Sequence, residues 1–125
     1  MKPRELPGLT VEVTQVVHAA DLIGPPGKPH VFVYFITIAN DSEQTVTIKG
    51  RKWIVREANG QTLAVEGDGV VGEFPRLEPG EKFDYNSSHA VSHDAEAEGA
   101  YLGLTDSGEA VFTRIPKFNL VVPQN

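Results

Sequence analysis

The chain has 125 residues and no cysteine. This length suits one domain, and a folded chain of this size buries enough surface to be stable without metal or disulfide cross-links. The lack of cysteine excludes a disulfide framework, thiolate metal sites and a cysteine nucleophile. It also agrees with a reducing compartment, so we expect a cytoplasmic protein.

Lysine and arginine number 11 against 17 aspartate and glutamate residues, which gives a formal net charge of -6. This balance argues against partners that are nucleic acids or anionic membranes. The longest apolar run, Val31 to Ile38, is far shorter than the ~18 residues of a membrane span. We therefore expect no nucleic acid and no membrane among the partners.

Short apolar runs separated by glycine and proline predict an all-β chain. Leu9 to Val17 alternates apolar and polar residues, as a strand with one buried face does, while His30 to Ile38 is apolar on both faces, like a central strand. Further strand patterns occupy Thr45–Lys49, resuming after Gly50 at Arg51–Glu57, then Leu63–Val65, Lys82–Asn86, Ala100–Thr105, Ala110–Ile115 and Phe118–Val122. About eight short strands predict an antiparallel β-sandwich, and Pro116 divides the last two.

Three segments between these strands have the composition of turns or loops. Asn59-Gly60 predicts a hairpin with a type I′ turn, and Glu78-Pro79-Gly80-Glu81 predicts a type II turn. The segment Ser92 to Gly99 contains helix-forming residues but is too short for a stable helix. We interpret it as a loop with at most one helical turn.

The string Gly67 to Gly72 satisfies the pattern G-x-G-x-x-G. In dinucleotide-binding proteins this pattern follows a parallel strand and opens a helix, but here Pro75 follows and no helical pattern continues. Two readings stay open. Gly67, Gly69 and Gly72 could form a nest of backbone N–H groups that holds a phosphate, or they could make a bulge or tight crossing between strands.

His89 and His93, followed by Asp94, Glu96 and Glu98, resemble a set of metal ligands. Histidines four residues apart converge on one ion only when they lie on a helical turn, whereas an extended strand holds their rings far apart. The three carboxylates could hold a hard divalent cation loosely. The competing interpretation is a polar loop that faces water, and we expect no preformed metal site.

Ser87, Ser88, His89 and Asp94 supply the residue types of a hydrolytic triad. No G-x-S-x-G nucleophile elbow and no evident oxyanion hole accompany them. We therefore expect no catalytic residues, no resident cofactor and no enzymatic activity.

A basic stretch surrounds the single tryptophan. Because side chains alternate along a strand, Arg51 should share one face with Trp53 and Val55, and Lys52 should share the other with Arg56. Either Trp53 is a core residue, or an exposed patch of arginine and aromatic residues anchors a partner.

The chain resembles the ApaG family. The resemblance is carried by GRKW at residues 50–53, by Asn59-Gly60, by VEGDGVVGEFPRLEPGEKFDYNS at residues 65–87 and by IPKFNLVVP at residues 115–123. These blocks span most of the chain. They identify one domain over residues 1–125, in which we expect residues 1–8 to be flexible.

The resemblance implies a fibronectin type III-like, immunoglobulin-like β-sandwich. In bacterial members it implies a link to cobalt and magnesium resistance and to the genetic neighbourhood of the diadenosine tetraphosphate hydrolase. Eukaryotic relatives append the domain to F-box proteins and to a DNA-polymerase-interacting protein, which implies an interaction module. The family's glycine string has been regarded as a pyrophosphate site, and it matches Gly67, Gly69 and Gly72 here.

This sequence departs from the family pattern after Ser87. The family continues with a glycine, a Thr-Pro pair and G-x-M-x-G-x-Y, where this chain has Ser88, His93-Asp94 and residues 96–101, and only Gly99 and Tyr101 fit. We therefore do not carry the family's use of this segment over to this chain.

Two hypotheses for function follow. The first is a non-enzymatic module that binds an unidentified protein partner through the loops Gly24–Pro29, Gly67–Pro75 or Ser87–Gly99. The second is a small-ligand sensor or carrier that holds a phosphoanhydride at Gly67–Gly72 or a divalent cation at Ser87–Gly99. The oligomeric state stays open, because the sequence does not reveal which strand edges are protected.

Overall fold

A computed structural model describes residues 2–124 and folds them as a two-sheet β-sandwich. The prediction of an all-β sandwich is confirmed. The nine strands are β1 (Arg4–Glu5), β2 (Leu9–His18), β3 (His30–Asn40), β4 (Val46–Glu57), β5 (Thr62–Asp68), β6 (Arg76–Leu77), β7 (Lys82–Val91), β8 (Ala95–Thr105) and β9 (Ala110–Leu120).

The two sheets differ in width. The large sheet has six strands in the order β1-β9-β8-β4-β5, with β6 paired to β4, and the small sheet has the order β2-β3-β7. Strand pairs are antiparallel except for β1 with β9. On one side of the sandwich β2 packs against β9.

The core lies between the inner faces of the two sheets. On β4, Trp53 and Val55 are buried and Arg51 shares their face, while Lys52 and Arg56 are exposed, as the period of two predicts. Trp53 is therefore a core residue rather than an exposed anchor. The largest fully buried side chains among residues 2–124 are Trp53, Tyr101, Ile36, Ile38, Ile48, Leu120, Val46, Val70, Val91, Val111 and Asn40.

The segment expected to be a loop at residues 92–99 is mostly strand. Strand β7 runs to Val91 and β8 begins at Ala95, so only three residues connect them. Ala95 and Ala97 are buried in alternation with Glu96 and Glu98. Burial of these alanines against the other sheet overrides the local preference for helix.

The sequence predicts that Pro116 separates two strands, but this residue lies within the single strand β9. The pairing of β8 with β9 shifts between Ala97 and Gly99, so that Pro116 and Lys117 lie opposite Glu98 alone. A bulge can hold a proline because the local ladder hydrogen bond is already missing there.

The hairpin at Asn59-Gly60 is confirmed, but its turn type is not. Gly60 has a φ of 93°, whereas the positive-φ residues other than glycine do not include Asn59. The Glu57 N–H donates to the Gln61 carbonyl at 2.8 Å and the Gly60 N–H to the Glu57 carbonyl at 2.9 Å. This is a three-residue loop with glycine in the left-handed position.

The Pro79-Gly80 turn has the predicted geometry. Gly80 has a φ of 91°, and the Glu81 N–H donates to the Glu78 carbonyl at 2.9 Å. This is the hydrogen bond of a type II turn, with proline fixing the first central φ.

Residues 2–8, within the segment expected to be flexible, contribute a strand and a core residue. Arg4 and Glu5 pair with Val111 and Phe112 of β9, and Leu6 is buried. Within residues 2–124 no helix is long and apolar enough to cross a membrane.

Asn40 is a buried polar side chain that holds one end of the sandwich together. Its Nδ2 donates to the carbonyls of Gln44 at 2.7 Å and Leu77 at 2.8 Å, and its Oδ1 accepts from the N–H and the hydroxyl of Ser42. The carboxamide thus joins the end of β3, the loop that follows it and β6.

Replacing Asn40 with alanine should lower the free energy of unfolding by about 3 kcal/mol, because the buried carbonyl of Leu77 loses its donor. Urea denaturation measures this loss. The control is Asn119→Ala at an exposed position of β9, which should change stability by less than about 0.5 kcal/mol. Equal effects at both sites would contradict the role given to Asn40.

Candidate functional site

The glycine string ends in a tight two-residue turn. Val70 and Glu73 exchange both backbone hydrogen bonds, at 2.8 and 2.9 Å, and the two residues between them have positive φ, 43° at Val71 and 82° at Gly72. This is the geometry of a type I′ turn. Val70 is fully buried and anchors the turn to the core.

Two of the three glycines have a backbone reason. A Cβ on Gly69, whose φ is 63°, would lie 2.3 Å from the carbonyl oxygen of Glu73, whereas one on Gly67 would meet only the far end of the flexible Arg51 side chain, at 2.6 Å. Gly72 needs its positive φ. These reasons favour the reading of a tight crossing, and the phosphate site at Gly67, Gly69 and Gly72 stays a prediction.

The amides of this turn are partly used. The Gly69 N–H donates to the Lys49 carbonyl at 2.8 Å, and those of Val70 and Glu73 bond each other's carbonyls. Within residues 2–124 the amides of Val71 and Gly72 have no hydrogen-bond acceptor. At most two amides of the turn are thus free for an anion.

An apolar surface extends from this turn across the outer face of the large sheet. Val71 and Phe74 are 50% and 54% exposed, and the Lys49 ammonium lies 5.6 Å from the centre of the Phe74 ring. Lys49 also lines a shallow depression of 470 Å³ that reaches Leu102, whose cross-strand partner is Phe112. We call Val71, Phe74, Leu102 and Phe112, together with Lys49 between them, the apolar surface.

Arg51 fixes the start of the turn from the inner side. Its Nη1 donates to the carbonyls of Asp68 at 2.7 Å and Gly69 at 3.3 Å. Within residues 2–124 no carboxylate forms an ion pair with Arg51. The guanidinium therefore carries a half-buried positive charge without an anionic partner.

Aromatic rings fill the space between the sheets beside Arg51. His89 stacks on Tyr34 at a centroid distance of 4.8 Å and meets the edge of Trp53 at 4.8 Å. Burial lowers the pKa of His89 to about 4, so the ring is neutral at neutral pH. Its Nε2 is buried and has no hydrogen-bond partner within the described residues. The hydroxyls of Tyr85 and Tyr101 contact each other nearby.

The candidate metal ligands, for which no preformed site is expected, do not come together. His89 points into the core, whereas His93 is exposed at the corner between β7 and β8. The Asp94 carboxylate accepts the Val122 N–H at 2.7 Å. Lys117 lies between the carboxylates of Glu96 at 3.6 Å and Glu98 at 3.7 Å. Within residues 2–124 no group of three or more metal-ligating side chains gathers.

The residue types of a hydrolytic triad are also separated. Ser87 and His89 face the inside of the sandwich, and Ser88 lies on the opposite face of β7. With Asp94 bound to the backbone of Val122, these residues do not form a nucleophile, a base and an orienting group.

Glu57 joins three segments at one end of the sandwich. Its side chain is 2% exposed, and Lys28 of the loop between β2 and β3 donates to it at 2.6 Å. The N–H and hydroxyl of Ser92 and the N–H of His93 donate to its other oxygen. Burial alone would raise the pKa of Glu57, but these donors outweigh it and hold the pKa at about 2.

Sequence reasoning missed Glu57, because its partners are 29 to 36 residues away. In the sequence, the only indication was that Glu57 occupies an inward position of the β4 pattern, where a charged residue is unusual. Sequence reasoning also missed the strained φ of Val71, because Val-Gly is not a preferred turn pair.

Comparison with protein families matches residues 24–102 to the ApaG domain. The chain is 37% identical over 119 residues to Protein ApaG of Vibrio cholerae, covering 94% of each chain. It is 39% identical over 107 residues to Protein ApaG of Xanthobacter autotrophicus, covering 85% of this chain and 82% of that one.

Two solved structures share the architecture. A crystal structure titled as an ApaA protein from Bordetella pertussis has a TM-score of 0.85 and 28% identity, covering 98% of this chain and 100% of the other. An X-ray structure of the structural-genomics target SoR45 has a TM-score of 0.83 and 33% identity, covering 93% and 88%.

Replacing Glu57 with glutamine should lower the free energy of unfolding at pH 7 by about 3 kcal/mol, because Lys28 loses its anionic partner and an amide faces the backbone donors. In the wild type this contribution is complete above pH ~4.5 and is lost as the pH falls toward about 2. Urea denaturation at several pH values should therefore show the two proteins converging below pH ~4.5.

The matched control is Glu66→Gln, at an exposed pair with Lys52 at 3.6 Å. It should leave stability within about 0.5 kcal/mol of the wild type at pH 7. A constant difference between Glu57→Gln and the wild type from pH 7 to pH 2 would contradict the low pKa of Glu57.

Proposed function

This chain belongs to the ApaG domain family, and from that premise we propose that it is a non-enzymatic module that binds a protein partner through the apolar surface. The observation that carries the proposal is Val71, a β-branched residue with a φ of 43° and an exposed side chain.

The conformation of Val71 is unfavourable. A β-branched side chain at positive φ costs about 1–3 kcal/mol, and such strain concentrates at functional positions. Because Val71 is half exposed, packing inside this chain does not repay that cost. Asparagine would form the same type I′ turn with less strain. A contact made by the valine side chain with a partner explains why an apolar residue occupies the turn.

The surroundings of Val71 support the same function. Phe74, Leu102 and Phe112 extend the surface, and aromatic residues and arginine are enriched at protein interfaces. Lys49 and Arg114 lie over the rings of Phe74 and Phe112. The scaffold that presents them is rigid, since Val70 and β8 belong to the core.

From the family resemblance we further propose that this binding takes place in the cytoplasm and serves cobalt and magnesium homeostasis. In this proposal the chain acts through its partner. The separation of Ser87, His89 and Asp94 supports a role without catalysis by a hydrolytic triad.

A second candidate is a sensor or carrier of a phosphoanhydride. The free amides of Val71 and Gly72, next to the Lys49 ammonium, favour it. A sensor of divalent cations at residues 87–99 has less support, because the carboxylates of Asp94, Glu96 and Glu98 already have partners.

Replacing Val71 with asparagine should raise the free energy of unfolding by about 1 kcal/mol, because Asn-Gly fits the type I′ turn. Binding to the partner should weaken in the same variant. Urea denaturation checks the first effect. The control is Val121→Asn, at a position that is 63% exposed and should change stability by less than about 0.5 kcal/mol. A less stable Val71→Asn would contradict the assigned strain.

The proposed surface is tested by affinity capture with quantitative mass spectrometry on the wild type, Phe74→Ser and Val121→Ser. We expect proteins that the wild type and Val121→Ser retain and that Phe74→Ser loses. If all three retain the same proteins, the apolar surface is not the binding site.

An amide-resolved NMR titration with magnesium, cobalt, pyrophosphate and diadenosine tetraphosphate distinguishes the second candidate. The module hypothesis predicts no saturable shifts at millimolar ligand. Saturable shifts at Gly67, Gly69 and Gly72 would support the phosphoanhydride sensor instead, and shifts at residues 94–99 would support a cation sensor.

A further inference from the structure

The unequal width of the sheets leaves one side of the sandwich open. On the closed side β2 of the small sheet packs against β9. On the other side, among residues 2–124, β7 pairs only with β3, and β5 pairs only with β4. A fourth strand added to β7 would lie opposite β5.

The inner face of β5 is correspondingly uncovered. Leu63, Val65 and Gly67 pair with Val55, Trp53 and Arg51, which face the core, so they share the inner side of the large sheet. Leu63 is nevertheless 46% exposed, and Val65 is only half buried. These apolar groups face the place where a fourth strand of the small sheet would lie.

The outer edge of β7 has little of the usual protection against strand pairing, since its only charged residues, Lys82 and Asp84, lie within its first three positions. Its ten residues pair with β3 in one unbroken register, without a bulge or proline. Its inward side chains, Phe83, Tyr85, Ser87 and His89, include no charge at neutral pH. Exposed edges in natural proteins are normally interrupted by charges, prolines or bulges. The edge of β7 can therefore accept another strand.

The positively charged guanidinium of Arg51 lies at this open side. Its guanidinium lies against Gly67, directly over the inner face of β5. Only Nη1 is used, on the carbonyls of Asp68 and Gly69, so Nε and Nη2 have no acceptor within residues 2–124. An arginine with free donors and no carboxylate partner is a site for a carboxylate.

The groups around Arg51 do not neutralise it. Burial raises the pKa of Tyr34, Tyr85 and Tyr101, so all three phenols stay uncharged at neutral pH. The charge of Arg51 is thus uncompensated beside an apolar strip and an open strand edge.

We propose that an extended peptide segment of a partner protein adds to β7 as a fourth strand of the small sheet, with apolar side chains against Leu63 and Val65 and a carboxylate on Arg51. Main-chain hydrogen bonds to β7 supply affinity, and the alternate side chains supply specificity. The proposal rests on the protein-binding function but uses a surface separate from the apolar surface.

A second copy of this chain is the less suitable occupant. The one carboxylate on β7 is that of Asp84, which accepts a hydrogen bond from the Thr37 hydroxyl at 2.5 Å. The inward side chains of β7 offer no anion to Arg51. Charge complementarity therefore favours a different, acidic strand.

The test is selection from a display library of random twelve-residue peptides on the intact protein, followed by affinity measurements on the enriched peptides. We expect apolar residues in alternation and one aspartate or glutamate. Replacing that acid by its amide in a synthetic peptide should weaken binding at least tenfold, without any change to the protein. Failure to enrich any peptide, or enriched peptides without an acid, would overturn the proposal.

Protein variants locate the site. Leu63→Lys places a cation in the open side and should abolish peptide binding, whereas Leu22→Lys, at a leucine that is 49% exposed, should leave it unchanged. Arg51→Met should weaken binding at least tenfold, and urea denaturation must show that it is folded. Peptides that bind Leu63→Lys as tightly as the wild type would contradict the site.

Hydrogen exchange followed by NMR completes the test. The peptide should slow exchange at amides of β7. Protection of β7 by dimerisation of the free protein, seen as a doubled mass in sedimentation, would instead assign the edge to a second copy and overturn the proposal. Phe74→Ser should bind the peptide normally, so failure of the apolar surface and failure of this site are distinguishable.

Discussion

The difference in width between the two sheets is the constraint on which the other features of this chain depend. Two sheets of equal width would bury their inner faces completely, but here a three-stranded sheet covers one with six strands. The strongest burial lies where both sheets are present, around Trp53 and Ile36. The inner residues of β5 and most of those of β7 are consequently half buried, and polar groups such as Tyr85 and His89 occupy inward positions of β7.

The two ends of the sandwich are closed by buried polar side chains. Asn40 at one end and Glu57 at the other each make four hydrogen bonds. Those of Glu57 reach residues 29 to 36 positions away, whereas Asn40 binds the adjoining loop and, 37 positions away, the carbonyl of Leu77. A buried polar group with all its partners present fixes a unique arrangement, because any shift leaves a donor or acceptor unpaired. The loops near Lys28 and His93 are therefore held in place by Glu57.

The fold was predictable from local signals, whereas the site was not. Alternation on β2 and β4 predicted which face of each strand is buried, and Pro79-Gly80 predicted its turn. Longer-range packing decided the rest: residues 95–99 form a strand because Ala95 and Ala97 are buried, and Pro116 stays within β9 because a bulge receives it. The sequence pattern at Gly67–Gly72 suggested an anion site, but the Glu73 contact and the positive φ values that explain Gly69 and Gly72 are not visible without the fold.

Arg51 connects the two surfaces considered for binding. Nη1 holds the carbonyls that precede the turn of Val71, while Nε and Nη2 of the same guanidinium face the open side beside Gly67. Substituting Arg51 therefore changes both the turn and the charge of the open side, and its effects alone cannot assign binding to either. Leu63 and Phe74 differ in this respect, because each belongs to one surface and neither side chain contributes to the fully buried core. Substitutions at Leu63 and at Phe74 therefore distinguish binding at the open side from binding at the apolar surface.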